Sequence, residues 1–194
     1  MSRIGKLSVH LPAGVTVTFE NGVVTVKGGK GTLTQEIVGD IDIKVEGSEA
    51  HVLKKVDSKE LEAKHGLYRA LLHNMVVGVT QGYTKSLKVN GVGWKVAKQG
   101  NKVVLNVGYS HPVEVVEPAG ITLTCPSANE IVVAGIDKTL VGQTAANIRG
   151  IRVPEPYHGY GIAYSDEVIE RRAPPAEAKS EGKPKGCEMQ PKVA

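Results

Sequence analysis

The residues best suited to chemistry lie in the stretch 148–162, which reads Ile-Arg-Gly-Ile-Arg-Val-Pro-Glu-Pro-Tyr-His-Gly-Tyr-Gly-Ile. Arg149 and Arg152 stand three apart at the end of an expected helix, where the helix dipole favours cations and where the spacing projects both from one face. Together they would form a cationic grip. Pro154 and Pro156 fix their own φ and push Val153 and Glu155 toward extended backbone, so the chain is expected to leave the helix as a stiff, exposed arm. Tyr157 and Tyr160 on that arm carry rings able to stack on bases, and Gly159 and Gly161 would let backbone N–H groups approach a phosphate. The plainer reading of the same residues is a helix stop followed by a surface turn.

Other stretches with apparent chemistry fail on spacing. Gly28-Gly29-Lys30-Gly31-Thr32 is glycine-rich, but a phosphate-cradling loop needs a longer interval and a following helix, whereas a strand pattern follows here. It reads as a hairpin with Lys27 and Lys30 as solvated charges. Gly108-Tyr109-Ser110-His111-Pro112 resembles a nucleophile elbow, yet proline stands where the closing glycine belongs, and strands flank it on both sides. The six histidines are scattered without an i, i+4 pair, and Cys125 and Cys187 lie far apart with no partners at metal-ligand spacing. No catalytic constellation emerges, and neither a cofactor nor a metal is expected.

The elements that must position these residues follow from periodicity. Period-2 runs at 15–20, 23–27, 32–37, 41–46 and 51–55 predict strands, with Asn21-Gly22 and Gly47-Ser48 as hairpin turns. From about Ser58 the period becomes helical, with Leu61, Tyr68, Leu72, Met75, Val76 and Val79 on one stripe and Asp57 and Glu60 placed as a capping pair. The pattern then repeats. Strands are expected at 85–89, 94–98, 102–107, 113–116, 121–125 and 131–134, followed by a helix capped by Asp137 with the stripe Leu140 or Val141, Thr144, Ile148 and Ile151.

An offset of roughly 80 residues superposes the two halves, setting Ile41 on Ile121, Val52 on Val132, Leu61 on Val141, Tyr68 on Ile148 and Arg69 on Arg149. The fold class expected is therefore α+β, with two tandem duplicated domains, 1–82 and 83–172, each a twisted antiparallel sheet packed against one helix. Residues 173–194 read as a disordered polar tail. Only 4% of residues are aromatic while Val and Ile abound, which suits an aliphatic, strand-rich core. The formal net charge of +4 suits an anionic partner without demanding one. The cysteine usage fits a reducing cytoplasm, and the N-terminus lacks the apolar core of a secretion signal.

Several segments carry a resemblance: Met1-Ser-Arg-Ile-Gly-Lys, Leu11-Pro-Ala-Gly-Val, Thr25-Val-Lys-Gly, Tyr68-Arg-Ala-Leu-Leu-His-Asn-Met, Gly108-Tyr-Ser-His-Pro-Val, Gly142-Gln-Thr-Ala-Ala-Asn-Ile-Arg and Pro154-Glu-Pro-Tyr-His-Gly-Tyr-Gly-Ile. On these the chain up to about Arg172 resembles the bacterial large-subunit ribosomal proteins of the L-six family. The resemblance implies two related domains and a non-enzymatic structural role in the large subunit of the cytoplasmic ribosome. It further implies binding of large-subunit rRNA by the second domain near the sarcin–ricin loop and the base of the factor-binding stalk, beside neighbouring ribosomal proteins, with no membrane and no small-molecule substrate. The expected rRNA-binding residues are Arg149, Arg152, Tyr157, His158, Gly159, Tyr160, Gly161, Arg171 and Arg172. Two departures stand out: the family pattern usually has lysine where this chain has His158 and Tyr160, and acidic residues dilute the lysines of the tail. Other readings of the same residues are a protein-interaction module without RNA binding and, more distantly, a hydrolase using Ser110 and His111.

Overall fold

The structure is a computed structural model that describes residues 3–56 and 58–170. The first half contains β1 (Val9–His10), β2 (Thr16–Glu20), β3 (Val23–Gly28), β4 (Gly31–Glu36), β5 (Ile41–Glu46), β6 (Glu49–Lys54) and α1 (Lys59–Thr80). The second contains β7 (Tyr83–Asn90), β8 (Lys95–Gln99), β9 (Lys102–Asn106), β10 (Val113–Val116), β11 (Ile121–Ser127), β12 (Glu130–Gly135), α2 (Lys138–Ile151) and β13 (Gly161–Tyr164). All pairing is antiparallel, and the strands of each half divide between two sheets rather than joining in one. The orders are β1-β6-β5 and β2-β3-β4, then β11-β12-β7-β13 and β10-β9-β8. The Asn21-Gly22 hairpin forms as its sequence demands, with φ of 51° and 77°, the mirror-image turn whose twist matches that of the flanking strands.

Each half builds its own core from the alternating inward residues of its strands and one stripe of its helix. In the first, Val9, Val26, Val52, Tyr68, Leu72 and Val79 come together; in the second, Leu87, Leu105, Leu123, Ile131, Val133 and Ile148 do. Ile136 reaches across from the second half to pack against the first core. Around it, Lys138 donates to the Asn74 side chain and Tyr83 to the Asn74 carbonyl. Lys30, expected as a solvated charge, instead donates its ammonium to the Gln81 carbonyl just beyond the end of α1, where the helix dipole favours a cation.

Helix starts differ from one half to the other. Asp137 caps α2, accepting from the Thr139 amide at 2.8 Å. Ser58 is the cap residue of α1 and makes no side-chain capping bond; the expected cap, Asp57, lies outside the described residues, as do Arg171, Arg172 and the stretch 173–194.

The duplication is visible in the topology, since β1-β6-β5 corresponds to β7-β12-β11 and β2-β3-β4 to β8-β9-β10. Its register differs by one residue from the sequence match at one strand. Val52 lies opposite Ile43 on β5, and the residue opposite Leu123 on β11 is Val133, so Val52 corresponds to Val133 and not to Val132. Side chains alternate faces along a strand, so a slip of one residue exchanges core for surface. Val133 is wholly buried, whereas Val132 is half-buried on the opposite face. Truncating Val133 to alanine is accordingly expected to cost about 2 kcal/mol and Val132→Ala less than about 1 kcal/mol, measured by chemical denaturation of the two variants. Equal losses would contradict this register.

Candidate nucleic-acid interface

The two helices differ in length, 22 residues for α1 and 14 for α2, and the candidate interface lies where α2 stops short. Pro154 cannot continue a helix, and Arg152, the C-cap, has already turned to extended backbone with φ −146° and ψ 91°. The chain does not then run out as an exposed arm. It closes on itself: the Glu155 amide donates to the Tyr160 carbonyl at 2.9 Å, the Gly159 amide to the Glu155 carbonyl at 3.0 Å and the Ile162 amide to the Arg152 carbonyl at 2.8 Å. It then continues as β13, paired with β7 over Gly161–Tyr164. The strand pattern of 161–164 is too short to show in the sequence, and its burial depends on β7 being beside it.

This closure assigns the two glycines to the turn. Gly159 is buried and spends its N–H on Glu155. Gly161 has φ +153°, and a Cβ there would lie 2.4 Å from the Pro154 Cα, so the space that a side chain would fill belongs to Pro154. Tyr157, His158 and Tyr160 remain exposed at the surface of the turn. The His158 and Tyr160 rings stack with centroids 5.5 Å apart and planes 9° apart, and His158 Nδ1 stands 3.6 Å from a Glu155 carboxylate oxygen.

The two arginines do not form a joint grip. Arg149, half-buried, donates Nε to Glu167 at 2.9 Å and its NH2 nitrogen to the other carboxylate oxygen at 2.5 Å, with its guanidinium over the Tyr164 ring. Arg152 points elsewhere, its Cζ 5.8 Å from the Trp94 ring centroid and 5.4 Å from that of Tyr109. Sequence spacing puts them on one face only while the backbone stays helical, and the helix ends between them. Among the described residues Arg152 has no carboxylate within ion-pair reach. Among the described residues Arg152 thus carries an exposed charge with no carboxylate partner, whereas Arg149 is paired with Glu167.

Trp94 and Tyr109 were legible only as strand-edge and loop aromatics, because the stretches that carry them are far from 148–162 in sequence. Tyr109 is fixed by donating its hydroxyl to the Ile151 carbonyl at 2.7 Å, which satisfies one of the open carbonyls at the end of α2. The nearest sequence signal was Gly108-Tyr109-Ser110-His111, in which Tyr109 and His111 stack with centroids 6.2 Å apart. Chemically, the assembled surface offers one unpaired guanidinium, several exposed rings and no nucleophile held by a base. Among the described residues no group of three or more His, Cys, Asp or Glu could hold a metal, and no helix is long and apolar enough to cross a membrane.

The Arg149 hydrogen bonds hold the Glu167 carboxyl below the ordinary glutamate value of 4.5, helped by the Tyr164 amide and opposed by partial burial. A depressed native pKa means stability that is fully present above the unfolded value and lost as pH falls through the native one. Urea unfolding followed from neutral to acid pH is expected to show a shallower loss below pH 4.5 for Glu167→Gln than for the parent chain. At neutral pH the variant should be less stable by about 1 kcal/mol, since the pair is partly exposed. Parallel acid limbs would mean that Glu167 is not ionised through this contact.

Comparison with known proteins places the chain in a family. A family model described as ribosomal protein L6 matches residues 11–82 and matches again at 90–165. The "Large ribosomal subunit protein uL6" of Carboxydothermus hydrogenoformans is 56% identical over 173 residues, covering 89% of this chain and 95% of that protein. The proteins of the same description from Caldicellulosiruptor saccharolyticus and Listeria monocytogenes are 53% and 52% identical, over 87% and 89% of this chain and 93% and 97% of theirs. With a repeated model match across both halves and identity above one half along most of its length, this chain belongs to the ribosomal protein L6 family.

Proposed function

We propose that the chain is a structural protein of the large ribosomal subunit and holds large-subunit rRNA with its second half. On this reading it is not an enzyme and works in the cytoplasmic ribosome among rRNA and other ribosomal proteins, as its membership of a ribosomal protein family supports. The two units we assign are 1–82 and 83–172. The rRNA contacted is the region near the sarcin–ricin loop and the base of the factor-binding stalk, with neighbouring ribosomal proteins alongside.

The observation that carries the RNA-binding reading is Arg152. It is exposed at the end of α2, unpaired with any carboxylate among the described residues, and lies over the Trp94 and Tyr109 rings. Beside it in the chain, the closed turn presents Tyr157, His158 and Tyr160, so a phosphate-directed charge and base-stacking rings share one stretch. Gly159 and Gly161 shape that turn. Arg149 orients the end of α2 through Glu167 and Tyr164 and takes part in binding through that positioning. Arg171 and Arg172, which lie outside the described residues, complete the set of residues we assign to rRNA binding. With His158 and Tyr160 standing where lysines are usual in the family, stacking carries more of the contact and phosphate neutralisation less.

Arg152→Ala is expected to weaken binding to large-subunit rRNA by about tenfold and to lower the salt slope by about one, with unfolding unchanged. Arg149→Ala should instead lower stability by roughly 1–2 kcal/mol, because it strips Glu167 of its partner. Filter binding across a salt series and denaturation of both variants check this. Rates of binding insensitive to salt, or RNA crosslinks in assembled subunits confined to the first half, would favour a protein-docking role for the second.

A further inference from the structure

We propose that Trp94, Tyr109, His111 and Arg152 form a subsite for an unpaired nucleotide, with its phosphate on the Arg152 guanidinium and its base continuing the Tyr109–His111 stack. This rests on the RNA-binding reading and narrows it. A lysine ammonium offers a phosphate a point charge alone; the Arg152 guanidinium offers a planar fork of N–H donors. Its Cζ lies over the Trp94 ring at 5.8 Å from the centroid and over the Tyr109 ring at 5.4 Å, so the charge sits against two aromatic faces. Among the described residues its in-plane N–H groups meet no carboxylate or other hydrogen-bond acceptor. That leaves the fork geometry that suits a phosphodiester free to act.

The rings around it are held in advance. Tyr109 is pinned by its 2.7 Å bond to the Ile151 carbonyl yet stays 40% exposed, and His111 lies beside it with an interplanar angle of 26°. Trp94 is seated against backbone: a Cβ on Gly91 would lie 2.2 Å from the indole, so only glycine lets the ring sit there. Preformed aromatic positions reduce the ordering cost of binding. A paired A-form helix presents phosphates but hides base faces within its stack, whereas an unpaired nucleotide supplies a phosphate and an open face together. The chemistry of the cluster matches the second ligand.

Trp94 is the chain's one tryptophan, so its fluorescence reports on the subsite directly. The full chain would be titrated with a short single-stranded oligoadenylate, with a blunt RNA duplex of the same length and with large-subunit rRNA, following Trp94 quenching and the anisotropy of labelled RNA. The single strand is expected to quench Trp94 and the duplex to bind without quenching. His111→Ala and Arg152→Lys, the latter keeping the charge but not the planar fork, should each weaken single-strand binding by about 3–10-fold and change duplex binding less than about twofold. Equal losses for both RNA forms, or single-strand binding without quenching, would overturn the subsite while large-subunit rRNA still binds. Absence of salt-dependent binding to large-subunit rRNA by the parent chain would instead remove the functional reading itself, and the subsite with it.

Discussion

Ile162, fully buried in the core of the second half, holds the chain against β7 after it has left α2, and its amide closes on the Arg152 carbonyl. That anchoring turns a proline-rich exit into a closed loop with both ends fixed. Once the ends are fixed, the backbone at Arg152 has to depart from helix, and the two arginines of the last turn are driven apart. One meets Glu167 just beyond β13, the other meets aromatic rings from two separate loops. The exposed surface of the second half is thus a consequence of where an apolar side chain is buried.

Comparing the two copies makes the point sharper. Arg69 occupies the position that Arg149 occupies in the second copy, and it too ties the helix to a neighbouring segment, donating to the Leu7 and Ser8 carbonyls just ahead of β1. The inherited role of this arginine is structural in both. What the second copy adds is a shorter helix, a returning strand outside β7 and the turn between them. A duplicated framework kept its packing and diverged where the helix ends.

Electrostatics follow the same division. Much of the chain's positive charge is met locally, as Lys98 is by Glu117 at 2.7 Å, Lys102 by Glu114 at 2.8 Å and Lys55 by Asp42 at 3.2 Å. Glu117 also accepts from the Leu123 amide, and the Lys98 hydrogen bond draws its pKa down. The more exposed of these pairs are worth little to stability and fade with salt, but each removes a cation from the supply available to an anionic partner. A small net charge can still recognise RNA when the cations left unpaired stand beside aromatic rings, because stacking does not depend on net charge.

By itself the sequence determined the α+β class, the duplication, most strand and helix positions and the stretch in which to look for function. Those features arise from local periodicity, turn chemistry and capping, all of which act over a few residues. Tertiary structure alone decided the division of each half into two sheets, the one-residue register at Val133, the pairing of β13 and the separate fates of Arg149 and Arg152. It also brought Trp94 and Tyr109 to Arg152. None of these has a local cause: each depends on which distant residues arrive to fill a face, accept a hydrogen bond or neutralise a charge. Helical spacing predicts where a side chain points only while the helix lasts, and where α2 stops is settled by the burial of a strand that begins ten residues further on.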